Sequence, residues 1–221
     1  MTHKVGFTLA EVLITLGIIG IVAAITIPNL IMTQKAHRLR SQFLKSYSVI
    51  QQAFRQMEDD GVLLDMKSTR TNYKTIMGYF NGATYCGTNG SKCFNKSIID
   101  LYKTFSGADS SLTWQGSRIL DDGQILLPDG SLIFLEDVTN KTWISIYLNG
   151  YNNPPNKFGY DLFTFQYEEG ILTTMGSRNT VFTDIEKYCN IKSNDTLNGI
   201  ACAHKAKTET DYFKWVVKNV K

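Results

Sequence analysis

The stretch GFTLAEVLITLGIIGIVAAITIP, residues 6–28, constrains this chain more than any other part of its sequence. Residues 7–27 are apolar or small apart from threonines and one carboxylate, Glu11. A carboxylate inside an apolar run of bilayer length costs a few kcal/mol even on lenient insertion scales. Glu11 therefore indicates either a position at the membrane surface or a specific partner.

The length of the run favours a membrane helix that the mature protein keeps. Residues 7–27, built as a helix, span about 31 Å, which matches the hydrocarbon core of a bilayer. A secretory signal peptide would have a shorter apolar region followed by a small-residue cleavage site, whereas this run ends at Pro28. We therefore interpret residues 7–28 as a single-pass anchor.

The flanking charges and the cysteines predict opposite orientations of this anchor in the membrane. Basic residues are more numerous after the run than before it, which alone would place the large domain in the cytoplasm. These residues are Lys4 before the run and Lys35, Arg38, Arg40 and Lys45 after it. The later cluster is also typical of a solvated helix face near anionic lipid.

Four cysteines favour an exported domain: Cys86, Cys93, Cys189 and Cys202. They lack the spacing of a zinc knuckle and the three histidines are scattered, so two disulfides are the favoured interpretation, ahead of free thiols or a metal site. Three pairings are open, of which short loops favour near neighbours. The net charge of +3 is too small to indicate a specific nucleic-acid partner.

The segment HKVGFTLAEVLITLGIIGIVAAITIPNL resembles the type III signal and N-terminal helix of type IV prepilins and type II secretion pseudopilins. The residues that fall on the family pattern are Gly6, Phe7, Thr8, Leu9, Glu11 and Pro28. The resemblance implies that a prepilin peptidase cuts between Gly6 and Phe7 and methylates the new amine of Phe7. It also implies that residues 1–6 are a leader and that the large domain lies on the far side of the membrane.

The same resemblance implies a partner for Glu11. In a filament, its carboxylate would pair with the Phe7 amine of a neighbouring subunit and set the register of assembly, as one buried polar group does in a coiled coil. Outside this motif, Glu11 would be interpreted as a residue that merely snorkels to the headgroups. Gly20 and Pro28 bracket a weak part of the helix, and in assembled filaments of the family the corresponding segment can extend.

Beyond Pro28 the sequence predicts that the helix continues to about residue 60. Apolar residues recur at three- and four-residue steps: Ala36, Leu39, Phe43, Tyr47, Ile50, Phe54 and Met57. Gly61 is a plausible C-terminal cap. We expect an α+β, pilin-like fold, in which a long N-terminal helix over residues 7–60 packs on an antiparallel sheet of a head domain, residues 61–221.

Turn signals and alternating apolar residues predict about five strands in a meander. Turns are expected at Asp122-Gly123, Asp129-Gly130 and Glu169-Gly170. Short helices are predicted at NYKTIMGYF and KSIIDLYKTF, flanking the loop CGTNGSKC, and again after Phe182, where DYFKWVVK is the clearest.

The stretch LNGYNNPPNKFGYDLFTF resembles a recurring pattern of pilin-like head domains. The residues that fit it are Asn149, Gly150, Pro155, Asn156, Gly159, Asp161 and Phe163. Some pseudopilins bind calcium in a head-domain loop, which makes Asn149, Asn153 and Asp161 weak calcium candidates. With one carboxylate in the loop, backbone turns made by Asn and Gly are the favoured interpretation, and no metal or other cofactor is expected.

The sequence contains no nucleophile elbow, phosphate-binding loop or paired zinc histidines, so we expect a protein that is not an enzyme. The resemblance implies a structural subunit of a type IV pilus-like filament or a type II secretion pseudopilus. Its partners would be copies of itself, other pilin-like subunits, prepilin peptidase, the inner-membrane assembly platform and membrane lipid. The alternatives are a membrane-anchored exported receptor that captures DNA or a substrate protein, and an anchored exported enzyme.

Overall fold

The computed structural model describes residues 6–62, 64, 72–88, 92–93, 102–138, 141–150 and 153–220. The helices are α1 (Leu9–Asp59), α2 (Asn72–Gly78), α3 (Ile185–Tyr188), α4 (Cys202–Thr208) and α5 (Tyr212–Asn219). The strands are β1 (Thr84–Gly87), β2 (Thr113–Trp114), β3 (Ser117–Arg118), β4 (Gly123–Leu126), β5 (Leu132–Val138), β6 (Lys141–Tyr147), β7 (Leu162–Glu168) and β8 (Ile171–Thr174).

The helix α1 is continuous over 51 residues and passes through Pro28. It ends in a Schellman motif, as the sequence predicted from Gly61. The Gly61 N–H donates to the carbonyl of Glu58, the Val62 N–H donates to the carbonyl of Met57, and Gly61 has a φ of 67°. At about 1.5 Å per residue, α1 is about 77 Å long, roughly twice the length of the part from Ala36 onward that packs on the head.

Six strands form one antiparallel sheet in the order β1-β4-β5-β6-β7-β8, and β2 pairs with β3 in a separate two-stranded sheet. The predicted turns at Asp129-Gly130 and Glu169-Gly170 are confirmed, since they join β4 to β5 and β7 to β8. The strand β1 was not predicted, and its last two residues, Cys86 and Gly87, lie in the sequence interpreted as the CGTNGSKC loop. Its pairing with β4 supplies the sixth strand.

The predicted hairpin turn at Asp122-Gly123 is wrong. Gly123 is the first residue of β4 and pairs with Leu135 of β5. The Asp122 carboxylate instead accepts the N–H of Asp137 at 2.9 Å. A Cβ at position 123 would lie 2.6 Å from the Cβ of Tyr73, so glycine is needed there for the packing of α2 against β4. Tertiary contacts, which no local turn signal reports, decide the conformation of this pair.

The C-terminal half of α1 packs on one face of the sheet, which gives the α+β, pilin-like arrangement that the sequence predicted. All seven residues of the predicted apolar stripe are buried, and Ala53 joins them. The Phe43 ring lies 4.8 Å from the ring of Phe163, and the Phe54 ring lies 4.4 Å from that of Tyr167. Phe163 and Tyr167 point to the same face because side chains alternate along β7.

The opposite face of the sheet is covered by the segments around β2 and α3. The Trp143 ring of β6 lies 5.1 Å from Trp114 and 5.3 Å from Phe182. The predicted short helices after Phe182 are confirmed as α3, α4 and α5. The segment NYKTIMGYF contains α2, whereas most of KSIIDLYKTF lies outside the described residues.

Two disulfides join near neighbours in the chain, the pairing that the short loops favour. Cys86 of β1 is bonded to Cys93, and Cys189 at the end of α3 is bonded to Cys202 at the start of α4. Both bonds lie in the head, and each is made by at least one short helix or strand of that domain.

Candidate processing and assembly segment

The N-terminal half of α1 projects from the head with no protein surface against it. From Phe7 to Lys35 none of the residues is buried, and the first buried residue is Ala36. Phe7 is 89% exposed and Leu9 is 79% exposed. Leu9 to Lys35 spans about 40 Å of helix, and this length and composition suffice to cross a membrane. Contiguous apolar surface of this extent is typical of a membrane or protein contact.

Gly6 and Phe7 precede the helix and are accessible. Residues 6–8 carry no regular structure, and helix α1 begins at Leu9. Nothing lies within 4 Å of the position that a Cβ at Gly6 would take. The peptide bond between Gly6 and Phe7 therefore lies outside the helix and in open space, where a peptidase can reach it.

Glu11 lies in the first turn of α1 and forms a capping box with Thr8. The Thr8 N–H and hydroxyl both donate to Oε2 of Glu11 at 2.8 Å, and the Glu11 N–H donates to the Thr8 hydroxyl at 3.3 Å. A carboxylate here also faces the positive end of the helix dipole. These contacts give Glu11 polar partners within its own chain, close to Phe7.

The sequence analysis placed Thr8 in the family pattern but did not predict that Thr8 is a hydrogen-bond partner of Glu11. The signal was present, because T-x-x-E before an apolar run is the sequence signature of a capping box. The resemblance to prepilins predicted a different partner for Glu11, the Phe7 amine of a neighbouring subunit.

Gly20 and Pro28 both lie within continuous helix. Pro28 has no N–H to donate to the carbonyl of Ala24, so one backbone hydrogen bond is missing at this point. The Asn29 side chain donates to the carbonyl of Ile25 at 3.3 Å, beside that gap. Nothing lies within 4 Å of a Cβ placed at Gly20, so the flank is open.

The calcium candidates are engaged in hydrogen bonds of the loop itself. The Asp161 carboxylate accepts the N–H groups of Lys157 at 2.7 Å and Asn156 at 3.1 Å, and burial raises its pKa to about 7. The side chains of Asn149 and Asn153 each donate to the backbone carbonyl of the other. In this arrangement Asp161 fixes the loop backbone, as expected of turns built from Asn, Asp and Gly.

A separate group of carboxylates, Asp121, Asp122 and Glu136, lies at the start of β4 and along β5. Their oxygens lie within 4.8 Å of one another. Burial and the neighbouring Asp122 and Asp121 raise the pKa of Glu136 to about 8. Its Oε2 accepts the Leu120 N–H at 2.7 Å. The sequence analysis had assigned Asp122 to a turn, and it could not identify Glu136 as a neighbour of Asp122, because Glu136 lies on a different part of the chain that only the folded sheet brings close.

Residues 3–27 match the protein-family model of the prokaryotic N-terminal methylation motif. No curated protein sequence and no solved structure matches the chain. The matched residues include the accessible Gly6 and Phe7, the capped Glu11 and most of the exposed apolar helix. Residues 3–27 therefore carry the prepilin-type motif of type IV pilins and pseudopilins.

Proposed function

We propose that this protein is a structural, non-enzymatic subunit of a type IV pilus-like filament or a type II secretion pseudopilus. The observation that carries the proposal is the position of the methylation motif on an exposed apolar helix that the folded head leaves uncovered. Prepilin peptidase cleaves between Gly6 and Phe7 and methylates the amine of Phe7. Before assembly, the processed subunit spans the cytoplasmic membrane once, and its head lies on the exported side.

The two disulfides of the head support this orientation, because disulfides persist in oxidising compartments.

The exposed apolar helix also limits which proteins can be partners of this chain. Outside lipid, about 40 Å of apolar helix can be covered only by other apolar helices, and copies of this chain or other pilin-like subunits supply them. An inner-membrane assembly platform transfers the subunit from lipid to the filament.

Glu11 has a distinct part in this transfer. Within the described residues, the hydrogen bonds to its side chain all reach Oε2, so Oε1 is available to another donor. The methylated amine of Phe7 on a neighbouring subunit carries a positive charge and is a suitable donor. The capping box stabilises Glu11 before assembly, and the intermolecular pair then fixes the register of neighbouring helices.

Two substitutions distinguish the role of Glu11 in the capping box from the role of its negative charge. Glu11→Gln keeps the capping box, because glutamine also serves at this position of the motif, and it removes the charge. Glu11→Ala removes both. We expect both variants to be cleaved at Gly6 and to reach the membrane, and both to fail to enter filaments recovered by shearing.

Glu209→Gln is the matched control, because it makes the same chemical change at an exposed head residue and should leave assembly unchanged. Normal assembly of Glu11→Gln together with failure of Glu11→Ala would assign Glu11 to the helix cap and contradict the intermolecular pair. Normal assembly of both would show that assembly requires neither the cap nor the charge of Glu11, whereas absence of filaments from the unmodified chain would contradict the filament proposal.

A further inference from the structure

A group of cations at the end of the apolar segment has no part in the proposed function and opposes the orientation that it requires. Lys35, Arg38 and Arg40 follow the segment, and no acidic residue occurs from 12 to 57 to balance their charge. Cations that flank a membrane helix favour the cytoplasmic side. Because an exported head carries these cations against that preference, a compensating contact on the exported side is expected.

The length of the helix places these cations at the membrane surface. Leu9 to Lys35 spans about 40 Å, whereas the hydrocarbon core is about 30 Å thick and the bilayer with its headgroups about 40–45 Å. Lys35 therefore lies at the level of the exported headgroups, and Arg38 lies about 4.5 Å further along the axis. Lys45 lies about 15 Å beyond Lys35 and is paired with Asp129 at 2.8 Å, so it does not belong to this group.

The helix α5 lies beside α1 at the same level. The Arg40 guanidinium donates to the carbonyl of Thr210, just before α5, at 3.1 Å. Lys214 of α5 lines a notch of about 180 Å³ together with Ala36 and His37 of α1. The helix α5 therefore packs against the first turns of α1 that the head covers, close to the membrane surface.

The exposed face of α5 is basic and aromatic. Lys214, Trp215 and Lys218 are exposed and lie at three- and four-residue steps, so they share one face of the helix. Lysine and tryptophan together are typical of helices that lie on a membrane surface. Asp211 neutralises part of the charge, since its carboxylate lies 3.3 Å from the ammonium of Lys214. Lys218 forms no ion pair with any residue that the structure describes.

We propose that the membrane-proximal end of the head binds anionic lipid headgroups through α1 and α5 together. The residues that make this contact are called the lipid face: Lys35, Arg38, Lys214, Trp215 and Lys218. Lysine and arginine donate charge-assisted hydrogen bonds to the phosphodiester of a lipid, and the indole lies at the headgroup level. Contact through two elements fixes both the tilt of α1 and the rotation of the head about the helix axis, whereas α1 alone would leave the rotation free.

This inference rests on the proposed function, which places residues 9–35 in the membrane and the head on the exported side. Lipid is the occupant because the lipid face is continuous with the membrane helix and lies at headgroup level. The contact belongs to the subunit before assembly, since transfer into a filament removes the helix from the bilayer.

The fluorescence of Trp215 tests the contact. Of the chain's three tryptophans, all within the described residues, Trp143 is 0% exposed and Trp114 packs against it, so Trp215 reports the lipid face. The full-length protein is reconstituted in vesicles of phosphatidylcholine, or of phosphatidylcholine and phosphatidylglycerol in equal parts, each with a spin-labelled headgroup as quencher. We expect stronger quenching with phosphatidylglycerol, and we expect the difference to disappear at high salt and in Trp215→Phe.

The variant Lys214→Gln/Lys218→Gln tests the contribution of α5. Each lysine near an anionic surface contributes about fivefold, so this variant should weaken docking about thirtyfold and lose the difference between the two kinds of vesicle. Arg55→Gln/Lys74→Gln is the matched control, because it removes the same charge from exposed positions. Arg55 lies about 30 Å from Lys35 along α1, and Lys74 lies in α2, near the C-terminal end of α1. This control should keep the full difference.

The outcomes separate this inference from the proposed function. Equal quenching in the two kinds of vesicle overturns the lipid contact and assigns the basic face to an acidic protein instead. A full difference in Lys214→Gln/Lys218→Gln overturns the contact through two elements. The vesicle assay requires neither cleavage nor filaments, so either result leaves the filament role standing, whereas absence of filaments in the host together with a positive vesicle result overturns the proposed function alone.

Discussion

Phe43 is the residue through which the docking of α1 on the head is best tested. Its side chain is 0% exposed, and its ring lies 4.8 Å from Phe163, 6.0 Å from Phe165 and 5.7 Å from Phe213 of α5. Truncation to alanine removes these contacts and leaves a cavity between helix and sheet. Substitutions of this kind cost about 3–5 kcal/mol.

For a chain of this size each kcal/mol lowers the Tm by about 2–4 °C, so Phe43→Ala should lower it by about 10 °C. The assay is thermal unfolding of the full-length protein in detergent micelles, followed by near-ultraviolet circular dichroism, which reports the aromatic core of the head. Leu44→Ala is the matched control: Leu44 is the next residue but is 40% exposed, and its truncation should cost well under 1 kcal/mol.

A loss below about 1 kcal/mol for Phe43→Ala, or equal losses for both variants, would show that α1 is not packed on the sheet in the way described. The assembly model would then lose its rigid connection between the head and the apolar segment.

Three further predictions concern the head. Because burial raises the pKa of Glu136 to about 8 from an ordinary 4.5, the folded state binds a proton more tightly than the unfolded state, and stability should fall as pH rises from 5 to 8. Glu136→Gln should make this fall smaller in urea titrations, and the part that remains follows the carboxylate of Asp161, whose pKa burial raises to about 7. Gly159→Ala should lower the Tm far more than Gly130→Ala: both have positive φ, but a Cβ at Gly159 would lie 2.7 Å from Sγ of Cys202, whereas Gly130 has open space. Replacing Cys189 and Cys202 together by serine should cost about 3 kcal/mol, measured by chemical unfolding, since the bond closes a 13-residue interval.

Much of the fold could be predicted because its signals are local. The buried stripe of α1 follows from the spacing of apolar residues, and Gly61 ends the helix as a glycine with positive φ does. Asp122-Gly123 and Asp129-Gly130 carry the same turn signal, yet only the second forms a turn. The difference is the contact between Gly123 and Tyr73, which are 50 positions apart and cannot be related by any local pattern.

In the candidate site, too, some features follow from local sequence and others depend on tertiary contacts. Gly6, Phe7 and Glu11 lie within six consecutive positions, so a motif identifies them. Asp161 was a weak calcium candidate in a loop for which backbone turns were the favoured interpretation, and its carboxylate accepts the backbone N–H groups of Asn156 and Lys157. Whether a carboxylate is available to a ligand depends on donors that the folded loop brings to it, and residue type alone does not report them.

The intact mass and N-terminal sequence of the protein from membranes of its own host test the central claim most directly. The proposed function predicts a chain that begins at N-methylated Phe7 and has lost residues 1–6. A chain that still begins at Met1 or Thr2 would contradict processing by prepilin peptidase. The protein would then be an uncut membrane anchor, and the capping box would be the remaining explanation for Glu11.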